Sequence, residues 1–440
     1  MKPNIAADRT TGSAASRSLA SLPTPSKLYV EVTSRCNLTC GMCVKQTPGS
    51  GIYEGDLSLA AFEALAPALP HVTALMLNGI GEPLLHPQLE TFIRTAKPIL
   101  PVDGWVGFQT NGLLLDHHRA AALAETGLDR ICLSVDGATP DTFKRVRGGE
   151  LSGIARAMEA LRRVQTIETG VEFVVQQRNL EELPDVLRWA IDQGATFALV
   201  SHLIAYDADL KDQVAYDPNT DQAVALFNYR REQAAAQGIN LARYFAVKWK
   251  YHKNDEEQQI VDTMEAVVND AADMGIFLHP RSLLERNPEL SRRLDRVFET
   301  ARQIAAAAGL ALELPAVAPK AEKRCEFIEN GVAFVSWNGD VHPCHFLWHQ
   351  YTCNVSKWHK TVNPKVFGRL PDNDILAIWN DPAYRRFRDT VRTYDYPLCS
   401  NCNLAPCDYI DSPEFEHDCY TNTVPCCDCQ WCLGVFKCMQ

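Results

Sequence analysis

No stretch of this chain is both long and apolar enough to cross a bilayer as a helix, which argues against a membrane partner. Positive charge is also in short supply: 43 lysines and arginines face 54 aspartates and glutamates, a formal net charge of −11. That balance argues against nucleic acid or an anionic membrane surface, both of which demand basic patches. Residues 1–26 are polar and lack the apolar centre of a secretion signal, so they read as a disordered tail on a cytoplasmic protein. Cysteine is missing from the whole stretch between Cys132 and Cys325, although the chain holds sixteen. Disulfide scaffolds belong to small secreted domains. Clustered thiols in a long chain without a secretion signal point instead to metal, in an anaerobic or strongly reducing setting.

The front of the chain carries the sharpest pattern. Cys36, Cys40 and Cys43 form a C-x3-C-x2-C loop directly after a short apolar segment that reads as a strand. Three thiolates can hold three corners of a four-iron, four-sulfur cluster and leave the fourth iron without a protein ligand. An open metal position separates a reactive site from a structural one. Taken alone, the loop would also suit a zinc knuckle or three unrelated cysteines.

From Lys27 onward, short apolar strands alternate with amphipathic helices, the pattern of a parallel α/β fold. Strands are expected at 27–33, 72–78, 104–109, 129–135, 171–176 and 196–201. Helices are expected at 87–96, 117–126, 152–167 and 183–193, the last three closing near a glycine (Gly127, Gly170 and Gly194). Functional groups then belong at the C-terminal ends of the strands. Three motifs fall there: Asn78-Gly79-Ile80-Gly81-Glu82-Pro83, Gln109-Thr110-Asn111-Gly112 and Ser134-Val135-Asp136-Gly137. Cys132, in mid-strand, reads as a small buried hydrophobe. Residues 205–324 are mostly helical in period and repeat a helix–Gly–apolar unit at Gly238, Gly275 and Gly309, a unit common enough to recur by chance. After Cys325, Asn338-Gly339 marks a hairpin. Beyond a helical piece near 374–392, the Cys-, Pro- and Asp-rich end cannot build an apolar core and must be held by metal.

The cysteine loop, followed one unit later by Gly81-Glu82-Pro83, resembles the radical S-adenosylmethionine (SAM) enzymes, with Cys36, Cys40 and Cys43 matching their cluster loop one for one. The resemblance implies a partial, TIM-like (β/α)6 barrel over residues 27–204, with 205–324 as a helical connector over its mouth. It implies a [4Fe-4S] cluster whose open iron is chelated by SAM. A reduced donor such as ferredoxin or flavodoxin supplies an electron, and the resulting 5′-deoxyadenosyl radical abstracts hydrogen from substrate. Gly81, Glu82 and Pro83 are then SAM contacts, Glu82 accepting from the ammonium group. Asn111 lines the SAM side, Ser134 and Asp136 sit near the ribose, and Arg147 is a candidate partner for the carboxylate. Ile80 stands where the family has glycine. His202 and Tyr206 lie just past the sixth strand, at the expected mouth; His202 reads first as a plain strand-end histidine.

Residues 325–440 resemble the SPASM domain, which implies one or two auxiliary [4Fe-4S] clusters. Cys325 and Cys344 fit its opening pattern and Cys399, Cys402 and Cys407 its middle; Cys419, Cys429, Cys432 and Cys438 complete the expected ligands. No cysteine lies just upstream of Cys325, so Cys353 or an open iron fills the first auxiliary cluster. A zinc ribbon is the rival for Cys399–Cys407. The run from Asp418 to Cys438 resembles the tail of the radical SAM maturases associated with tungsten-containing aldehyde oxidoreductases. The expected function is therefore radical maturation of a tungsten or molybdenum pterin cofactor. A peptide or protein side chain is the alternative substrate, and a non-catalytic iron–sulfur electron carrier is the alternative of another class.

Overall fold

The computed structural model describes residues 22–47, 50–355, 358–399, 402, 407, 412–427 and 429–439. Six short apolar runs form the central strands: β1 (Lys27–Val30), β2 (Ala74–Met76), β3 (Trp105–Thr110), β4 (Arg130–Ser134), β5 (Glu168–Val175) and β6 (Phe197–His202). They lie side by side in chain order, each parallel to the next, so helical crossovers must connect them. The expected α/β architecture is present as an open sheet that extends beyond six units. At one edge β7 (Ala311–Glu313) adds parallel to β6, and at the other β8 (Val332–Val335) adds parallel to β1. β9 (Asp340–His342) and β12 (Gly368–Arg369) continue that edge antiparallel, giving ten strands. A separate hairpin joins β10 (Tyr351–Val355) to β11 (Trp358–Val362). The Asn338-Gly339 turn falls between β8 and β9 as the sequence predicts. Gly339 has φ 87°, and a Cβ there would lie 2.2 Å from the Leu370 carbonyl oxygen, so glycine is required twice over.

Alternation along the strands divides the structure into two layers. Leu28 and Val30 of β1, Leu75 of β2 and Val200 of β6 point into a large core shared with the helices. Tyr29, Met76, Cys132, Leu199 and Phe334 point to the other face, into a second core that contains much of the C-terminal segment. Cys132 is the small buried hydrophobe the sequence suggested.

Several expectations change. The cysteine-rich end does pack apolar side chains: Val424, Leu433, Val435 and Phe436 are buried in a core they share with the inner face of the sheet. Residues 205–324 are not one unit. Buried residues between Ala223 and Leu283 form a core of their own, whereas the helix Pro288–Ala308 packs on the main core through Leu294, Phe298 and Ala301. Of the three helix–Gly–apolar units, only the last yields a strand, β7. Gly170 is no helix cap. It lies inside β5, where a Cβ would meet the Phe197 ring at 2.3 Å, and Gln165 caps the preceding helix. Residues 1–21 of the expected tail lie outside the described residues. Residues 22–26 are bonded in place: the Leu22 carbonyl accepts from Trp379 Nε1 at 2.8 Å, and Ser26 N donates to the Gly331 carbonyl at 3.0 Å.

A buried bond helps tie the C-terminal segment into the sheet, Tyr29 Oη to the Met439 carbonyl at 2.6 Å. Tyr29→Phe removes the donor and leaves a buried carbonyl unpaired, which should cost about 1–3 kcal/mol. The expected result is a lower thermal midpoint and faster trimming of the tail by carboxypeptidase; an unchanged trimming rate would show that this bond does not hold the tail.

Candidate active site

The loop after β1 is shaped before any metal is considered. Asp56 accepts from Thr33 Oγ1 at 2.7 Å and from Arg35 Nε at 3.0 Å, and Lys45 Nζ donates to the Ser34 carbonyl at 2.6 Å. A turn follows, with Cys43 N donating to the Cys40 carbonyl at 2.9 Å. Cys36, Cys40 and Cys43 all open onto one cavity of about 310 Å3 at the C-terminal ends of the strands. Leu38 N donates to Cys36 Sγ at 3.5 Å and Asn111 Nδ2 lies 3.9 Å from it. Burial pushes all three thiols above their ordinary range, Cys43 to about 11. They are protonated near neutral pH and ionise only when a metal draws the proton off.

The second motif is pressed onto this loop. A Cβ at Gly81 would lie 2.3 Å from the Thr33 carbonyl oxygen and 2.5 Å from that of Arg35, so no larger residue fits without moving the cysteine loop. Glu82 N donates to the Arg35 carbonyl at 2.7 Å. The Glu82 carboxylate accepts from Thr110 Oγ1 at 2.6 Å, Asn111 N at 2.8 Å and Leu84 N at 3.2 Å. Burial nevertheless holds its carboxyl above the usual range. Glu31 is fully buried beneath the motif: Oε1 accepts from Ile80 N at 3.0 Å, and Oε2 from Trp337 N at 3.2 Å and His349 Nε2 at 2.8 Å. One carboxylate thus joins β1, the glycine motif and the segment after β8.

The floor of the cavity is charged. Arg147 ends the helix Pro140–Arg147 and pairs through Nε with the fully buried Asp136, whose other oxygen accepts from Val174 N at 2.7 Å. Burial would lower the arginine, but Asp136, Cys40 and Glu172 outweigh it and keep it charged. Glu172, on β5, lines the same space. Its burial, aided by Asp136 and opposed by Arg147 and by hydrogen bonds to Gln109 and Ser134, pushes it up to about 7. It therefore changes charge within the physiological range.

The open side is walled by residues far apart in sequence: Ile204 and Tyr206 after β6, and Trp431, Phe436 and Lys437 from the tail. Lys437 N donates to Ser201 Oγ at 3.2 Å and its Nζ to Glu326 Oε1 at 2.6 Å. His202 also lines the cavity, but its Nε2 pairs with the Ala316 carbonyl at 3.0 Å. Burial lowers it to about 4, so it stays neutral.

Two sets of thiols lie in the C-terminal segment. Burial pushes Cys325 up to about 12, and Cys429 adds to the shift. Cys344 is raised first by burial, then by Cys429 and Cys325, and Cys426 and Cys432 belong to the same group. Cys419 is raised by burial, with Asp418, Cys402 and Cys407 nearby, and Cys399 N donates to the Cys427 carbonyl at 3.0 Å. Among the described residues no three such side chains close on one point to grip a single ion. A four-iron cluster needs its thiolates at separate corners and not on one point, and Cys36, Cys40 and Cys43 share one cavity.

Comparison with known families matches residues 30–190 to the radical SAM superfamily and residues 325–403 to the SPASM iron–sulfur cluster-binding domain. The chain is a radical SAM enzyme of the SPASM type. It binds SAM and [4Fe-4S] clusters. It is similar to the tungsten-containing aldehyde ferredoxin oxidoreductase cofactor-modifying protein of Pyrococcus furiosus, 27% identical over 93% of this chain and 96% of the relative. Pre-heme d1 synthase of Dinoroseobacter shibae is 31% identical over 41% of this chain, and the PqqA peptide cyclase of Gluconobacter oxydans 29% identical over 45%. The chain spans only 44% and 55% of the length of those two.

Within this radical SAM enzyme the cavity brings together Cys36, Cys40, Cys43, Gly81, Glu82, Asn111, Ser134 and Arg147. Pro83 and Asp136 do not line it; Asp136 stands behind, holding Arg147. In the SPASM segment Cys325, Cys344, Cys429 and Cys432 come together with Cys426, which the sequence reading left out. Cys438 lies apart, 3.6 Å from His345 Nδ1, with Glu172, Glu326 and Lys437 as its charged neighbours. Cys353 is buried in the inner core near Tyr206 and Tyr351. Glu31, Glu172, Trp431, Phe436 and Lys437 were also missed. The alternation of β5 could have flagged Glu172 as an inward acid, but no local signal marks the tail residues as cavity walls.

The raised carboxyl of Glu172 fixes a sign. Its ordinary value is 4.5 and its folded value about 7, so the folded state holds a proton that the unfolded state releases. Stability from this group is full below pH 4.5 and is lost as pH rises through 7. Metal-free Glu172→Gln should therefore gain on wild type by about 3 kcal/mol between pH 5 and pH 8 and then level off. Urea melts of both proteins across that range test it, and parallel curves would refute it.

Proposed function

We propose that this enzyme carries out radical modification of a pterin-type tungsten or molybdenum cofactor, or a precursor of it. The supporting observation is the extent of the likeness. A match over 93% of this chain and 96% of the Pyrococcus furiosus cofactor-modifying protein has to run through residues 205–324 and much of the C-terminal segment. Within those regions, Tyr206, Trp431, Phe436 and Lys437 line the cavity. The matches to pre-heme d1 synthase and PqqA peptide cyclase extend over only 41% and 45% of this chain.

The roles of the chain's own residues follow from their positions. Cys36, Cys40 and Cys43 would hold the cluster, and SAM bound there, with an electron from a reduced ferredoxin or flavodoxin, supplies the chemistry that takes hydrogen from an unactivated carbon. Gly81 and Asn111 admit SAM beside the cluster loop, and Ser134 offers a hydroxyl on the same wall. Glu82 serves chiefly to fix that wall, since its oxygens are already bonded to Thr110, Asn111 and Leu84. Arg147, kept charged by Asp136, places a cation where a carboxylate can be matched. Glu172 can hold or release a proton at the cavity floor near neutral pH. Ile204, Trp431 and Phe436 exclude water, which protects a reactive species from quenching. The C-terminal thiols would hold one or two auxiliary clusters.

The deciding experiment is mass spectrometry of the pterin cofactor extracted from tungsten or molybdenum oxidoreductases of the native organism, with and without this gene. The expected outcome is an altered pterin in the deletion strain, restored by wild type and not by Cys40→Ala. An unchanged pterin would overturn the reading and turn the search to peptide substrates.

A further inference from the structure

The cavity at the cysteine loop does not end at the tail. Ile204, Trp431 and Phe436 also line a narrow space of about 10 Å3, and on its far side stand Tyr216 and Asn354. Tyr216 and Asn354 in turn line a second cavity of about 230 Å3. The three spaces share walls in series. The first is lined by the cluster loop and the SAM motifs, so SAM takes much of its volume and a substrate has the neck as its direction of extension. The neck is about the size of one water, so passage requires the Tyr216 or Phe436 ring to turn.

The second cavity combines an apolar wall with several hydrogen-bonding groups. It is formed by residues 211–218 and 282–291 of the connector, with Gln177 after β5 and Asn354 of β10. Arg286 Nε donates to Asp217 and its Nη2 to Ser291 Oγ at 3.4 Å, which fixes the guanidinium as part of the wall. Asn354 is 6% exposed; its N and Nδ2 both donate to the Ala205 carbonyl, at 2.7 and 3.1 Å. Its Oδ1 is buried and receives no donor among the described residues. A buried acceptor without a donor is costly unless a ligand supplies one. Charge is nearly balanced around the cavity, with Lys211 and Arg286 against Asp212, Asp217 and Glu285, the last also near Arg281. That favours an uncharged, hydrogen-bonding head over a phosphate.

We propose that this second cavity is a subsite for the remote end of the substrate. The substrate is an elongated small molecule that sets its reacting carbon in the first cavity. Through the neck it passes a neutral polar head with adjacent N–H donor and acceptor, as an amide or an amino-oxo ring edge carries, onto Asn354 and Arg286. The inference deepens the reading above and rests on it only in taking the substrate to be a small molecule.

The test uses the full-length protein with its clusters reconstituted. SAM cleavage is followed with two probes: metal-free pterin released from a tungsten oxidoreductase, and the small-molecule filtrate of native cells. Ser291→Trp and Ser282→Phe each fill the second cavity from a different element and touch neither the thiol loop nor the neck. For whichever probe stimulates wild type, both variants should raise KM about tenfold, which is ~1.4 kcal/mol, while kcat and unstimulated SAM cleavage stay within about twofold. Unchanged KM in both folded variants would overturn the subsite. If only the filtrate stimulates, the pterin reading fails and the subsite is judged on the filtrate. If neither probe stimulates wild type, the substrate is not a small molecule and the subsite falls with it.

Discussion

The inner face of the parallel sheet carries an apolar patch beside the polar cavity, and something must cover it. Helices bury the outer face in the usual way, but Tyr29, Met76, Leu199 and Phe334 point the other way. The cover is the C-terminal segment. Each large apolar side chain it removes from water contributes about 1.5–3 kcal/mol, so the drive to close is strong. The sheet supplies apolar partners beyond those the cysteine-rich end has within itself. From this one requirement follow the burial of the SPASM thiols, the delivery of Trp431, Phe436 and Lys437 to the mouth of the cavity, and the bond from Tyr29 to Met439.

Glu31 shows how the two halves become one site. A fully buried carboxylate must be satisfied, and its partners come from three places: the amide of Ile80 in the glycine motif, the amide of Trp337 and the ring of His349. None of these can leave without stranding the charge. The glycine motif is in turn wedged against the carbonyls of Thr33 and Arg35, next to Cys36. The departure at Ile80 is harmless for this reason: the contact that matters is its backbone N–H, which any residue but proline supplies.

The six strands and the three cavity motifs were legible because they rest on local pattern. Period-two apolar runs followed by glycine motifs place themselves at strand ends whatever the rest of the chain does. The hairpin at Gly339 was legible for a similar reason. What the sequence hid was long-range. Nothing in Ala311–Glu313 or Val332–Val335 says that these strands lengthen opposite edges of one sheet. Gly170 looked like a cap because helix–Gly is a frequent pairing, yet it is small to make room for Phe197 from the neighbouring strand. Cys426 and Cys438 show the limit of spacing arguments: one joins the thiol group and the other stands apart beside His345, though both sit in one dense run of cysteines.

The thiols themselves argue that metal and closure are linked. Burial raises Cys43 to about 11 and Cys325 to about 12, so a closed, metal-free protein keeps these groups protonated and packed among apolar side chains. Ligation needs thiolates, and a thiolate left in that setting without a metal is strongly disfavoured. The inner face can be covered without a cluster, but the covering segment is then held by its apolar contacts and by bonds such as Tyr29 to Met439. With clusters in place the same thiols become cross-links between the segment and itself. Because Trp431 and Phe436 ride on that segment, the wall that shapes the substrate cavity rests on those apolar contacts and would be stiffened by ligation behind it. The auxiliary thiols thus bear on which substrate fits, quite apart from any electron they help to carry.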